Sequence, residues 1–236
     1  MNEQLDFETG VREAIPTVLG YIGIGLAFGV VGKTSGLSVL EIFLMSLITY
    51  AGSAQFIMVS LMLVGSSIPF IMLSVFLVNA RFILMSTTVA QYFRKDSLGQ
   101  NIGIGSLLTD ESFALSMNKL NFTDHHLKPG WIHGANIVAY LTWAFATAAG
   151  GLLGNLVGDP KAFGLDFALV AMFIGLLYLQ MITDKSKAFV FQIFMVVVVC
   201  FLMYGLTIFF SNNVALIVTT LVGCFLGMVI EQWRSR

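Results

Sequence analysis

Charge is what this sequence has least of. Asp, Glu, Lys and Arg make up 11% of its 236 residues, where a soluble domain carries about 25%. Hydrophobic residues make up 57%, and the mean hydropathy is +0.89. So few charges cannot cover a water-facing surface, which makes the chain an all-α polytopic membrane protein in contact with a lipid bilayer. A net charge of -1 lacks the basic footprint of a nucleic-acid binder. Cysteine is equally scarce. Cys200 and Cys224 lie in apolar runs, with no CxxC or Cys/His ligand spacing, so no disulfide, metal or cofactor is expected. A basic amino-terminal region is missing too. The stretch MNEQLDFETGVREAIP is acidic, the wrong sign for a cleavable signal peptide.

What the chain has is long uncharged runs. A bilayer core takes roughly 20 apolar residues per helix. The first run is Ile15 to Gly32. The 39 uncharged residues Ile42 to Ala80, extended through Arg81 to Phe93, predict helices over 38–64 and 68–93, with a turn at Gly65-Ser66-Ser67-Ile68-Pro69. Further runs are Trp131 to Gly158 and Leu165 to Ile182. The 43 uncharged residues Ala188 to Ile230 split into two helices at Ser211-Asn212-Asn213. This gives seven spans. A weaker segment, 100–118, is interrupted by Asp110 and Glu111. Cytoplasmic loops carry an excess of Lys and Arg. If 100–118 crosses, the basic residues divide seven to four. If it is short, non-crossing or re-entrant, they divide nine to two, with only Arg12 and Lys161 outside together with the amino terminus. The second arrangement is expected.

The chain reads as one membrane-embedded domain, 1–236. Ser35-Gly36-Leu37 followed by Glu41 resembles Phe163-Gly164-Leu165 followed by Asp166, at an offset of 128 residues. Repeat units over 15–93 and 131–209 would then lie in opposite orientations, an inverted repeat of the kind transporters build with discontinuous helices.

The few polar groups inside the runs are the functional candidates, because an ionisable group in hydrocarbon costs on the order of 2.5–3.5 kcal/mol. Arg81 lies in LSVFLVNARFILMSTT, with Ser74 and Thr88 on its face. It reads either as half of an ion pair with Asp110 or Glu111, or as a carboxylate anchor through its planar guanidinium fork. Asn79 reads as interhelical glue or as a binding residue. Asp110 and Glu111 lie in GIGSLLTDESFALSMN. At membrane depth they repel, so one of them is expected to hold a proton, which suits proton coupling; at the interface they would merely be solvated. His133, Asn136, Tyr140, Trp143 and Thr147 share one helix face. His133 suits an interfacial anchor, and Tyr140 and Trp143 a cavity lining.

The stretch LITYAGSAQFIMVSL places Tyr50, Gly52, Ser53 and Gln55 together inside the 39-residue uncharged block. Gly52 suits a close approach between helices or a break in the helix. A break exposes backbone N–H and C=O groups, tolerated only where they are buried in protein or line a cavity. The break is the expectation, with Gln55 pointing into the same place.

LGYIGIGLAFGVV, TYAGSAQF, LVNARFILM, TDESFAL and GLDFALVAMFIGLL, in that order, resemble the AzlC family, the large subunit of branched-chain amino-acid exporters. The similarity covers about 15–180. It departs from the family pattern at Phe82, where histidine is frequent after the arginine. The resemblance implies export of leucine, isoleucine, valine and related apolar amino acids. It also implies a small hydrophobic membrane partner of the AzlD type. A zwitterionic substrate needs a donor for its carboxylate, an acceptor for its ammonium and an apolar pocket. Arg81 or the N–H groups near Gly52 suit the first, and Asp110 or Glu111 the second. A passive channel for a small polar solute is the alternative. A membrane enzyme would need a nucleophile or metal cluster beside the acids, and the sequence has neither there.

Overall fold

The structure is a computed structural model and describes residues 4–154, 174–175, 177–178, 181–182, 188–210 and 212–234. The helix expected over Leu165–Ile182 and the Phe163-Gly164-Leu165-Asp166 half of the 128-residue match lie largely outside the described residues. The chain divides into two compact units, Met1–Phe173 and Ile174–Arg236. Every regular element described is helical.

The first unit is built on α2 (Ile15–Thr34) and α9 (Pro129–Leu153). Their glycines remove the side chains that would hold the backbones apart. A Cβ on Gly29 would stand 2.1 Å from the Thr147 carbonyl oxygen, and one on Gly150 would stand 2.2 Å from that of Leu26. Gly25 meets Ala146, Gly29 meets Thr147 to Gly151, and Lys33 meets Gly154. The numbers rise together, so α2 and α9 are parallel. A short helix α1 (Phe7–Glu13), capped by Asp6, lies against the first turns of α9, where Gly10 meets Trp131.

The expected helix over 38–64 is broken. α3 (Val39–Ile48) starts with a Ser38/Glu41 capping box and ends before Thr49. Tyr50 takes a left-handed φ of 38°, Ala51 is extended, and α4 (Gly52–Leu63) begins afresh. The two halves form a hairpin. Val39 and Ile42 pack on Gly151, at the far end of α9, while Tyr50 reaches Tyr140 near its middle. The Gln55 Nε2 then donates to the Ser46 Oγ at 3.0 Å. Residues nine apart in a continuous helix would be about 13 Å apart along its axis. Phe56 meets Phe28, ring centroids 5.1 Å apart. The segment thus enters from the α9 carboxyl-terminal end and returns to it, instead of crossing as expected.

α5 (Ile68–Asn79) and α6 (Arg81–Ala90) form one crossing, continued by a 3-10 turn over Gln91–Phe93. Its interruption at Ala80 was not foreseen. It ends with Phe93 in a core with Trp131 and Ile132, at the amino-terminal end of α9.

The weaker segment is a second hairpin, as its re-entrant reading anticipated. α7 (Leu98–Ser106) opens with a Ser97/Gln100 capping box and climbs past His133 and Asn136. Leu107 joins the cluster of Tyr21, Tyr50, Ala139 and Trp143. α8 (Asp110–Leu120), capped by Thr109, returns until Lys119 meets Glu13.

Two hairpins therefore enter from opposite ends, each followed by a crossing helix with proline in its first turn, α3–α6 and α7–α9. The two capping boxes, at Ser38 and Ser97, open them. This is an inverted arrangement with a spacing of about 60 residues, within the typical discontinuous-helix transporter plan. In the 128-residue pairing read from the sequence the leading helices, α2 and α9, run the same way, and much of its second half lies outside the described residues. The charge count changes with it. Arg12, Arg94, Lys95, Lys119 and Lys128 share one end of the unit and Lys33 lies at the other. The amino terminus therefore sits with the basic end, which the positive-inside rule assigns to the cytoplasm. The outside placement expected from the sequence counted 38–64 as a crossing, so within this unit the same rule now points the other way.

In the second unit α10 (Phe189–Phe209) and α11 (Asn212–Arg234) form a helical hairpin. Val199 packs on Gly223 and Met195 on Gly227, so the helices are antiparallel. Cys200 and Cys224 are exposed and unbridged. Among the described residues, five stretches are long and apolar enough to cross a membrane: Ile15–Thr34, Ile68–Phe93, Pro129–Leu153, Phe189–Phe209 and Val214–Trp233.

Candidate functional site

Three chain interruptions, at Thr49–Ala51, at Ala80 and at Leu107–Thr109, meet in the middle of the first unit. Each starts a helix whose first residues carry the polar groups. Arg81, first residue of α6, donates from Nη2 to the Ser53 Oγ of α4 at 3.0 Å. The same Nη2 lies 2.9 Å from the Asp110 Oδ2 at the start of α8. One guanidinium thus ties both hairpin tips to the crossing between them. The pair is not sealed, since the Arg81 side chain is 31% exposed and that of Asp110 17%. The Arg81 Nε is buried without an acceptor.

Glu111 follows a different path from its neighbour. Its Oε2 accepts from the Tyr21 hydroxyl at 2.7 Å, and the same hydroxyl lies 3.0 Å from the Thr109 Oγ1. The two adjacent carboxylates are thereby drawn to different partners. Tyr21 and Thr109 were missed from the sequence. The signal available was slight: Tyr21 is the one tyrosine in a helix otherwise read as a greasy, glycine-rich span.

The remaining candidates gather here, but several are already engaged. Gln55 is fully buried. Its Oε1 accepts from the Trp143 indole at 2.8 Å, and its amide nitrogen donates to Ser46. Ser46 shares a 2.8 Å hydrogen bond with Thr147. The Tyr140 hydroxyl donates to the Leu47 carbonyl at 2.8 Å, an oxygen that the end of α3 leaves without its helical partner. Gln55, Tyr140 and Trp143 thus brace the break. Gly52 serves both of its readings. It opens α4 after the break, and a Cβ there would stand 2.8 Å from the Trp143 ring. Tyr50 packs edge-on to Tyr140, and its buried hydroxyl makes no hydrogen bond. The Asn79 Oδ1 at the α5–α6 interruption is also buried without a donor.

A second polar cluster, unanticipated, lies at the basic end. The fully buried Lys119 meets Glu13 at 2.9 Å, and the Trp131 indole donates to the same carboxylate at 2.9 Å. No group of His, Cys, Asp and Glu suited to a metal ion occurs among the described residues.

All three interruptions fall inside the stretch 16–157, which matches the family described as AzlC protein. The chain belongs to the AzlC family. The AzlC match covers the first unit's site and ends before α10. The inner membrane protein YgaZ of Escherichia coli (strain K12) is 26% identical over 233 residues, 97% of this chain and 92% of its own length. An uncharacterized membrane protein of Archaeoglobus fulgidus is 33% identical over 173 residues, 72% of this chain and 74% of its own. The branched-chain amino acid transport protein AzlC of Bacillus subtilis (strain 168) is 25% identical over 184 residues, 76% of this chain and 70% of its own. No solved structure matches. As an AzlC-family member, this chain is a multi-pass membrane protein with a role in transport.

Proposed function

We propose that the chain exports branched-chain amino acids and that the three interruptions form its substrate site. The observation that carries this is the position of Arg81, held between Ser53 and Asp110 where two re-entrant hairpins and a broken crossing converge. A guanidinium bound to one carboxylate can receive another, and its free Nε–H supplies a further donor. The start of α4 adds backbone N–H groups at a positive helix end. Asp110 and Glu111 offer the acceptors that an ammonium needs. Tyr50 and Asn79 serve as additional contacts in this reading, which their unused buried polar atoms support. The name of the Bacillus subtilis relative supports the substrate class.

A small hydrophobic AzlD-type subunit completes the exporter in this proposal, and the proton gradient drives it through the acidic pair. The test is leucine efflux from loaded proteoliposomes with and without a pH gradient. Saturable efflux that the gradient accelerates and Arg81→Ala abolishes is the expected result. Non-saturable flux indifferent to Arg81→Ala would establish the passive channel instead.

A further inference from the structure

The two adjacent carboxylates stand in different electrical situations. Asp110 faces the Arg81 guanidinium at 2.9 Å, and their charges cancel. Glu111 has a hydroxyl for a partner, that of Tyr21. The titratable or charged groups around it are Tyr21 from α2, Tyr50 from the α3–α4 break, Asp110 from its own helix and Arg81 from α6. On α9 they are Tyr140, whose hydroxyl is bound to Leu47, and His133, which packs on Gly103 a turn below. α7 carries no titratable side chain. Among the described residues, the cation that reaches this point is Arg81, and it is committed to Asp110. An ionised Glu111 therefore leaves the cluster with one negative charge that no side-chain cation among the described residues pairs with, the amino-terminal end of α8 offering only a partial charge. Beside it, the Tyr50 hydroxyl is nine-tenths buried, packed in the same group as Tyr21, and makes no hydrogen bond. That is an open polar position next to an uncompensated carboxylate.

We propose that Glu111 is the group at which a proton and the substrate's ammonium exclude one another, while Asp110 serves as the fixed partner of Arg81. This deepens the export reading and rests on it. The proton and the ammonium need the same Glu111 carboxylate: once protonated it has no charge with which to hold an ammonium, and an ammonium seated on it lowers its affinity for a proton. An ammonium arriving from the cytoplasmic side displaces the proton, which leaves to water on that side. A proton arriving from the opposite side displaces the ammonium, which departs with its own protons. No covalent bond other than the carboxyl O–H forms or breaks. One substrate then leaves for each proton that enters, and the exclusion is itself the coupling.

The test uses the purified full chain and infrared spectroscopy of the carboxyl C=O stretch, which needs no substrate to report protonation. A carboxyl band that titrates with pH, vanishes in Glu111→Gln and persists in Asp110→Asn is expected. Glu111→Asp retains an acid and should keep a band, which separates loss of the proton site from loss of the fold. Leucine added at a pH where the band is present should abolish it and release a proton into weak buffer. Leucine affinity should fall about tenfold per pH unit below the midpoint. A band that survives Glu111→Gln, the absence of any titrating carboxyl, or leucine affinity independent of pH would overturn the proposal and leave the transport reading to the efflux assay. If leucine leaves the band untouched and another zwitterionic amino acid abolishes it, the exchange site is supported and the branched-chain assignment is the part that fails.

Discussion

The Arg81 guanidinium and the Asp110 carboxylate lie 2.9 Å apart, and each belongs to the first turn of a helix that starts in mid-unit. Neither helix end would tolerate its position in lipid. Together with Ser53 they close the gap where three pieces of interrupted chain expose their backbone ends.

Arg81→Ala should therefore damage the fold as well as transport. It leaves Asp110 unpaired, and breaking one side of a buried pair costs about 3–5 kcal/mol, toward the lower end here because both side chains keep some exposure. Thermal unfolding in mild detergent should show a lower transition for Arg81→Ala than for Arg81→Ala combined with Asp110→Ala. Both variants should lack leucine efflux. Equal stability of the two would mean that the pair is not an energetic unit.

Gly52→Ala should be disruptive although it adds a single methyl. That methyl would meet the Trp143 ring at 2.8 Å, and the ring is held by Gln55, Tyr21 and Phe28. Overpacking of this kind costs about 1–3 kcal/mol. Efflux should fall at least tenfold. Gly20→Ala, where a methyl meets nothing within 4 Å, should be silent in the same assay.

Gln55→Leu should lower stability without a selective rise in KM. Both ends of the Gln55 amide are engaged, so the substitution orphans the Trp143 indole N–H, at about 1–3 kcal/mol, and takes one of its two hydrogen bonds from the Ser46 hydroxyl, which keeps Thr147. If KM for leucine rises while the unfolding temperature is unchanged, Gln55 touches substrate after all.

The hairpin arrangement predicts which loops share a side. With Cys200 and Cys224 replaced by serine, single cysteines at Glu8 and Asn121 should react with an impermeant thiol reagent from the cytoplasmic side. A cysteine at Ser67, between α4 and α5, should react from the other. Labelling of Asn121→Cys and Glu8→Cys from opposite sides would contradict the parallel run of α2 and α9.

Much of this was legible in the composition. The helical membrane class follows from the missing charge, and the break at Tyr50 follows from small and polar residues crowded into an apolar run. The ion pair of Arg81 with Asp110 was readable as one of two alternatives, because a guanidinium in hydrocarbon has few partners to choose from. The direction of α4 was not readable. Hydropathy measures how greasy a segment is, and a hairpin of two short helices is as greasy as one long crossing. The turn-back rests on Gln55 reaching Ser46 and on Phe56 meeting Phe28, contacts between elements that no period in the sequence records. The same blindness entered the charge count, which took 38–64 as a crossing. Tyr21 was lost because one hydroxyl in a span is common, and its meaning comes from Glu111, 90 residues away.

Lys119 carries a further implication for how the protein is made. It is the most deeply enclosed cation among the described residues, and its carboxylate, Glu13, leaves the ribosome 106 residues earlier. Glu13 is therefore made long before the second hairpin that brings Lys119 to it. An amino-terminal fusion that pulls Glu13 away during synthesis would take this carboxylate from Lys119 and should lower the yield of folded protein.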